Sequence, residues 1–289
     1  WNNENILTYD VKIKKKHSLN LLAGLTFQKN SSRNFGYTAQ QVPNSELGIK
    51  SLELGTLTSA QSGGSQTALM SYLGRINYSY DSKYMVTLTF RSDGSSKFAE
   101  GHKWGYFPSG ALAWRFTREK FMKPISKVLS EGKLRASFGF AGNNRVADFA
   151  SLAQVTTTIN DRYQFGDILN SIGAYPSSVR NDQLTWERTG TINVGADLGF
   201  LSNKIYVELD YYKRNTTNLL LKAAISSNSG FGSMQRNVGE IQNEGFEISF
   251  NTTNFRSRNF EWTSNFNISF NKNEVKSFSS GERSILSNV

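Results

Sequence analysis

The stretch Thr191-Ile192-Asn193-Val194-Gly195-Ala196-Asp197-Leu198-Gly199-Phe200 alternates between apolar and polar residues. Because successive side chains of a β-strand point to opposite faces, this pattern predicts a strand with one apolar and one polar face. The apolar face carries Ile192, Val194, Ala196, Leu198 and Phe200, and the polar face carries Asn193, Gly195, Asp197 and Gly199. An aspartate-bearing face is unsuited to a sandwich core. It suits a strand that has lipid on one side and a wet lumen on the other.

Similar alternation along the chain predicts ten strands. They cover residues 5–14, 17–28, 69–80, 83–92, 108–117, 132–141, 187–199, 204–214, 239–252 and 259–271. Short turns are expected at 15–16, 81–82, 200–203 and 253–258, and the segment 118–131 is expected to hold one helical turn around Glu119–Met122, before Pro124. Long Gly/Ser/Asn-rich connections are expected at 29–68, 93–107, 142–186 and 215–238. Strict alternation of short and long connections is typical of up-and-down membrane barrels.

Composition agrees with this fold class. The 289 residues are 38% hydrophobic and 13% aromatic, and no run approaches the roughly 18 apolar residues of a transmembrane helix. Cysteine is absent, which excludes disulfides and thiolate metal sites. The net charge of +10 is most simply solvated loop and turn charge, and a specific anionic partner is the alternative.

The two ends of the predicted wall are expected to be open. Trp1 begins inside strand-like sequence with no signal peptide, and the last predicted strand is followed by Ser/Asn/Gly-rich sequence. A half-barrel would leave two unpaired strand edges in lipid. We therefore expect further strands from the same polypeptide.

Several segments resemble the SusC/RagA-like family of TonB-dependent outer-membrane transporters of the Bacteroidetes. The matching segments are 91–98 (RSDGSSKF), 104–109 (WGYFPS), 114–115, 119–121, 133–139 (KLRASFG), 142–143, 184–187 (LTWE), 210–213 (DYYK) with 216–220, and 237–247 (NVGEIQNEGFE). They follow one another in consistent order from about 70 to 275, whereas residues 1–68 match only as generic strand and loop.

The resemblance implies an all-β, antiparallel, up-and-down transmembrane barrel, multi-pass in the outer membrane. Residues 1–289 would supply about ten strands of a larger barrel closed around a plug, with the plug domain outside this chain. It further implies contact with TonB through the absent N-terminal region and a SusD-like surface lipoprotein as a lid. The implied cargo is large, such as glycans or oligopeptides, and neither nucleic acid nor a cofactor is implied.

Motifs that could carry other chemistry are given simpler interpretations. Asp93-Gly94-Ser95-Ser96 lacks the features of a phosphate or calcium loop and is interpreted as a turn. Trp104, Tyr106 and Phe107 are interpreted as an interfacial girdle rather than a sugar platform.

The charged and imidazole side chains are likewise given structural roles. The polar-face carboxylates Asp197, Glu208, Asp210 and Glu247 could resemble a glycosidase pair. We expect them instead to pair with Arg75, Arg91 and Arg135. No catalytic or metal role is assigned to His17 or His102, and no enzymatic activity is expected.

The longest connections, 29–68 and 142–186, are the best places for contacts with substrate or lid, because recognition concentrates on long loops held by a rigid scaffold. The candidate stacking residues there are Phe35, Tyr37, Tyr163, Phe165 and Tyr175. A SusC-like barrel that serves as a docking subunit without cargo is the main alternative function. A passive channel or adhesin comes next, and a soluble β-sandwich or basic nucleic-acid binder fits the strand pattern least.

Overall fold

A computed structural model describes residues 1–165 and 168–278, and its main feature is one antiparallel sheet of ten strands. These strands are β1 (Asn2–Ile13), β2 (His17–Gln40), β3 (Thr56–Tyr80), β4 (Tyr84–Ser95), β5 (Trp104–Trp114), β6 (Leu129–Asn143), β9 (Glu187–Phe200), β10 (Ile205–Thr217), β13 (Glu240–Arg256) and β14 (Glu261–Ser277). Two small hairpins lie outside the sheet: β7 (Val155–Phe165) with β8 (Ile168–Pro176), and β11 (Leu220–Ala224) with β12 (Ser233–Asn237).

Every strand of the sheet pairs with the next sheet strand along the chain, in the order β1-β2-β3-β4-β5-β6-β9-β10-β13-β14. All ten predicted strands are present, and the predicted up-and-down topology is confirmed. In the described residues β1 and β14 have one neighbour each, so the sheet is a wall that does not close on itself.

Short connections lie at one end of this wall. Residues 14–16, 81–83, 201–204 and 257–260 reverse the chain between paired strands, as predicted to within a few residues. Consecutive residues with positive φ, such as Lys14 with Lys15 and Asp81 with Ser82, make the first two reversals possible. The connection after β5 forms two short 3₁₀ helices, Phe116–Arg118 and Lys120–Ile125. Pro124 lies inside the second helix rather than after it.

Long connections lie at the opposite end, and here the sequence-based boundaries need correction. Residues 29–40 pair with residues 56–68 as continuations of β2 and β3, so most of the predicted loop 29–68 is strand. We call this two-stranded extension the β2–β3 arm. A broken 3₁₀ helix, Ser45–Leu54, closes it. The predicted loops 142–186 and 215–238 contain the two small hairpins. None of the helices in the described residues has the length and apolarity to span a membrane.

The two faces of the sheet differ as the alternation predicts. The face carrying Ile192 and Val194, here called the outward face, has large apolar side chains exposed on successive strands. Examples are Ile76, Leu88, Leu112, Phe138, Tyr211, Phe246 and Phe270. The opposite, inner face carries polar and charged residues that bond to one another across strands, including Asn20 with Asn77 and Asn77 with Thr87. Exposed apolar area of this extent is typical of a surface that lies in lipid.

Candidate functional site at the long-connection end

The candidate stacking residues fall on two separate hairpins. Phe35 and Tyr37 lie on the β2–β3 arm, with 71% and 62% of their surface exposed. Tyr175 lies on β8 opposite Thr156 of β7 and is 47% exposed. Tyr163 and Phe165 belong to β7 by their backbone, but their side chains lie outside the described part of the structure. The exposed rings of Phe35, Tyr37 and Tyr175 have the freedom that a stacking role requires.

A small hydrophobic cluster that the strand pattern did not predict lies at the long-connection end of the wall. We call it the loop core; its members are Phe98, Phe107, Val146, Leu184 and Trp186. Leu184 has no exposed surface, and Trp186 packs between Phe98 and Phe107 with ring centroids 5.4 and 5.5 Å away. The Trp186 indole Nε1 donates to the Lys103 carbonyl at 2.9 Å, which satisfies its buried donor. Segments distant in sequence thus share one core.

Polar side chains fasten the same segments together. The Asn237 Nδ2 donates to the Thr185 carbonyl at 2.7 Å, and the Thr185 backbone N–H donates to the Asn237 Oδ1 at 2.8 Å. The Asn181 Nδ2 donates to the Gln235 carbonyl at 2.7 Å. These bonds tie the end of the connection 144–186 to β12, in the next long connection.

A second polar junction joins the β4–β5 connection to residues after β6. The Lys97 ammonium donates to the Val146 carbonyl at 2.8 Å and lies 3.3 Å from Asp148. Ser95, which is 2% exposed, accepts a bond from Asn144 at 3.2 Å. Three long connections therefore form one packed unit, from which the β7–β8 and β11–β12 hairpins extend.

The segment 93–96 is a structural part of this unit, and its predicted role as a turn was largely wrong. Asp93, Gly94 and Ser95 belong to β4, and the reversal begins only at Ser96. Asp93 is buried, and both of its carboxylate oxygens accept from the Arg91 Nε at 2.8 Å. The strand continues because Gly94 and Asp93 pair with Trp104 and Gly105 of β5.

The three aromatic residues interpreted as a girdle divide between two roles. Trp104 and Tyr106 lie on the outward face and stack on Tyr72 and Phe90, at centroid distances of 5.8 and 6.3 Å. Their exposure agrees with the predicted girdle. Phe107 points to the other side and is buried in the loop core, so the prediction was wrong for this residue.

The inner face of the wall carries a network of ion pairs centred on Arg135 of β6. The Arg135 Nε donates to the Asp197 Oδ1 at 2.8 Å, and its Nη2 donates to the Asp210 Oδ2 at 2.9 Å. The Lys133 ammonium lies 3.0 Å from the second oxygen of Asp197. The guanidinium therefore crosses over Gly195 of β9, which lies opposite both Arg135 and Asp210.

The predicted pairing of carboxylates with arginines is confirmed for Asp197 and Asp210, and only with Arg135. Arg91 pairs with Asp93 instead. The buried Nε of Arg75 has no hydrogen-bond partner in the described residues. The network neutralises charge along the wall, as lumen-facing residues of barrels do.

The histidines show no clustering with possible metal ligands. The His17 Nδ1 is 2.7 Å from the Tyr78 hydroxyl, in a part-buried aromatic contact. Within residues 1–165 and 168–278, no group of His, Cys, Asp and Glu side chains could hold a metal ion. The long-connection end of the molecule forms a packed platform with exposed hairpins, an arrangement suited to binding.

Comparisons with known proteins agree with this architecture. A family model described as "TonB dependent receptor-like, beta-barrel" matches residues 1–285. The chain is 37% identical over 283 residues to TonB-dependent receptor P26 of Formosa agariphila, a match that covers 95% of the chain and 28% of the receptor. It is 37% identical to TonB-dependent receptor SusC of Bacteroides thetaiotaomicron over 76% of the chain and 22% of SusC.

A solved structure of the RagAB peptide importer in its open-open state superposes with a TM-score of 0.86 and 25% identity. The match covers 99% of this chain and 31% of the importer chain. The chain thus spans less than a third of the length of these relatives. Sequence reasoning missed several residues of this site, above all Asn237, Leu184 and Trp186. They lie in segments that are similar to SusC/RagA-like proteins, and this similarity was the signal that could have indicated their structural role. On this basis the chain belongs to the TonB-dependent receptor β-barrel family of the outer membrane.

Proposed function

We propose that residues 1–289 form part of the barrel wall of a TonB-dependent, SusC-like transporter. The proposed cargo is a large nutrient such as a glycan or an oligopeptide, taken up together with a SusD-like surface lipoprotein. The observation that carries this proposal is the match of 99% of the chain to the RagAB peptide importer. We assign the plug and the TonB-contacting segment to parts of the full-length receptor other than this barrel wall.

The proposed mechanism is binding and gated translocation, with no covalent step. The polar inner face, with its Arg135 network, would face the water-filled or plugged lumen. The packed long connections would hold the hairpins in place at the cell surface, where substrate and lid arrive. Phe35, Tyr37 and Tyr175, with Tyr163 and Phe165 of β7, are the proposed stacking residues.

Growth of a strain that lacks the full-length receptor tests the transport proposal. On a panel of defined glycans and oligopeptides as sole carbon source, transport predicts a growth defect on at least one substrate. A plasmid copy of the receptor should restore growth, and a protonophore should abolish uptake of that substrate, because TonB-dependent transport needs the proton gradient.

Affinity purification of the tagged receptor tests the lid. Co-purification of a SusD-like lipoprotein supports the proposed pair. Normal growth on every substrate, together with co-purification of a larger outer-membrane assembly, would favour the alternative of a docking subunit without cargo.

Alanine substitution of Tyr163 and Phe165 tests the β7–β8 hairpin. We expect weaker binding of the lipoprotein or of the substrate that the growth panel identifies, with the receptor still folded. Unchanged affinity would remove these two residues from the site.

A further inference from the structure

The β2–β3 arm has a long backbone edge that is open on the side of β4. β4 pairs with β3 only from Leu69 onwards, and in the described residues β2 is the only strand that pairs with residues 56–68. The Ser96 N–H donates to the Ala68 carbonyl at 2.9 Å, and the Ser96 Oγ accepts from the Ala68 N–H at 2.8 Å. The β4–β5 connection therefore satisfies this edge as far as Ala68 and leaves it open beyond that residue.

The open edge presents a regular row of backbone donors and acceptors. The hydrogen-bonding groups of successive strand residues point alternately to the two sides of the strand. Because those of Ala68 point away from β2, those of Gln66, Gly64, Ser62 and Ala60 do the same, with no register shift between them. At about 3.4 Å per residue, the row from residue 60 to residue 66 is roughly 20 Å long.

The sequence of this edge lacks the features that normally prevent the addition of a strand. Residues 59–67 (SAQSGGSQT) contain no proline, no charged residue and no apolar side chain larger than alanine. The register shift in this pairing lies farther out, between Thr38 and Ala39 of β2. Natural proteins protect a free edge with lysine, proline, a bulge or a covering segment. An edge without such protection is a template for another extended chain.

One face of the arm can contact the side chains of an added chain. Tyr37 and Phe35 are largely exposed and lie opposite the small residues Ala60 and Ser62 on this face. The next residue of β2 on the same face is Arg33, which is exposed and pairs with no carboxylate of the described residues. A chain added to the edge would therefore place alternate side chains near two aromatic rings and one free guanidinium.

We propose that this edge binds an oligopeptide cargo in extended conformation, as an additional strand of the arm. In this binding mode main-chain hydrogen bonds supply the affinity, and side-chain contacts add selectivity. A glycan offers hydroxyl groups but no row of amide donors and acceptors at the strand spacing. The inference rests on the proposed transport function and narrows its cargo to peptides, with acidic and apolar side chains favoured by Arg33 and the two rings.

Fluorescence anisotropy with the detergent-solubilised full-length receptor tests the proposal. The probe is a fluorescein-labelled decapeptide of alternating threonine and glutamate, whose threonines favour extended backbone. A second probe has the same side chains, but three consecutive central amide nitrogens are methylated, which removes donors from both of its edges. We expect this probe to bind about ten- to hundred-fold more weakly. Equal binding of the two probes, or no binding of the first, would overturn the proposal.

The variant S62P/Q66P removes two donors from the open edge of the receptor. Proline is tolerated on an edge strand where the N–H faces solvent, so the pairing with β2 should persist. We expect the first probe to bind this variant at least about ten-fold more weakly. The matched variant S62A/Q66A changes the same side chains but keeps both N–H groups, and its affinity should stay within about two-fold. Equal affinities of the two variants would contradict the proposed binding mode.

Heat-modifiable migration on gels and limited proteolysis within residues 29–68 show whether the barrel and the arm of each variant are intact. If the arm of S62P/Q66P is cleaved faster, the comparison of the two probes on the unaltered receptor decides the question, because it needs no variant.

Three outcomes separate this inference from the proposed function. Normal growth of the receptor-deficient strain on every substrate would refute transport itself. Receptor-dependent growth on glycans alone, or displacement of the first probe by excess maltoheptaose, would overturn only the peptide site. Loss of the SusD-like lipoprotein from S62P/Q66P without loss of probe binding would assign the edge to the lid and likewise overturn the peptide site.

Discussion

The absence of a side chain at Gly195 leaves space for the ion pairs on the inner face of the wall. A Cβ at this position would meet the Asp210 carboxylate and would lie 2.9 Å from the Arg135 Nη2. Gly195→Ala should therefore displace the bridge across β9 and destabilise the full-length receptor by about 1–3 kcal/mol. Urea unfolding in detergent micelles measures this change.

The matched control is Gly74→Ala on the outward face, where an added Cβ would have no atom of the described residues within 4 Å. Its effect should stay within about 0.5 kcal/mol. Equal effects of the two substitutions would show that the Arg135 bridge does not depend on the space at Gly195.

Glu119, in the short-end connection after β5, gives a prediction about pH. The Tyr84 hydroxyl donates to its Oε1 at 2.7 Å, and Lys83 and Trp114 donate more weakly at 3.4 and 3.5 Å. These donors hold the pKa of the Glu119 carboxyl below its ordinary value of 4.5. Because the pKa is lower in the folded state, the ionised carboxylate stabilises the folded protein at pH values above the ordinary pKa of 4.5. This contribution is lost as the pH falls through the folded-state pKa.

Unfolding of the full-length receptor across acidic pH tests this expectation. Glu119→Gln should be less stable than the unaltered protein at neutral pH, and the difference should shrink as pH falls below 4.5. Tyr84→Phe, which removes the strongest donor, should weaken the same pH dependence. A difference that stayed constant with pH would show that Glu119 acts through packing rather than charge.

At the scale of elements, the loop core and the hydrogen bonds around it join three long connections into one unit. The side chain of Asn237 makes two of these hydrogen bonds, both to Thr185. Asn237→Ala would remove the bonds to Thr185 at 2.7 and 2.8 Å and leave part-buried backbone groups unpaired. We expect limited proteolysis of the receptor to become faster within 144–186, while the barrel remains resistant to heat in detergent. Asn30→Ala, at an exposed position on the β2–β3 arm, is the control and should leave the cleavage pattern unchanged.

The β2–β3 arm is an element of the opposite kind. β1 pairs with β2 only as far as Gln28, and β4 pairs with β3 only from Leu69, so the arm continues alone beyond the wall. An isolated two-stranded ribbon without a hydrophobic face is only marginally stable. Replacing Phe35 and Tyr37 by alanine should therefore leave unfolding of the barrel unchanged but weaken co-purification of the proposed SusD-like lipoprotein. Full recovery of the lipoprotein would show that these rings do not contribute to binding it.

At the scale of the whole molecule, the unclosed sheet determines what this segment can do by itself. β1 and β14 each present one unpaired edge in the described residues, and unpaired backbone groups in lipid are costly. Residues 1–289 expressed alone should therefore aggregate or oligomerise in detergent, whereas the full-length receptor should migrate as a heat-modifiable monomer. Light scattering distinguishes the two, and a monodisperse, heat-modifiable monomer of the segment would contradict this expectation.

Much of the wall could be predicted from local pattern alone. The alternation of apolar and polar residues, as in Thr191–Phe200, depends only on whether each side chain faces lipid or the lumen. It therefore specified the strands and their faces, and the alternation of short and long connections specified their up-and-down order. Predictions failed where the pattern is uninformative: the arm is rich in Gly, Ser and Gln, and its strands exist because each supplies the other's hydrogen-bond partners.

The sequence by itself thus determined the class of fold, the membrane-facing surface and the positions of the four short turns, because these follow from short-range periodicity. Only the tertiary structure decided that Phe107 is buried while Trp104 and Tyr106 are exposed, and that Arg135 rather than Arg75 bridges Asp197 and Asp210. These outcomes depend on contacts between residues far apart in the chain. The local pattern does not indicate which of several similar side chains will lie within contact or hydrogen-bond distance.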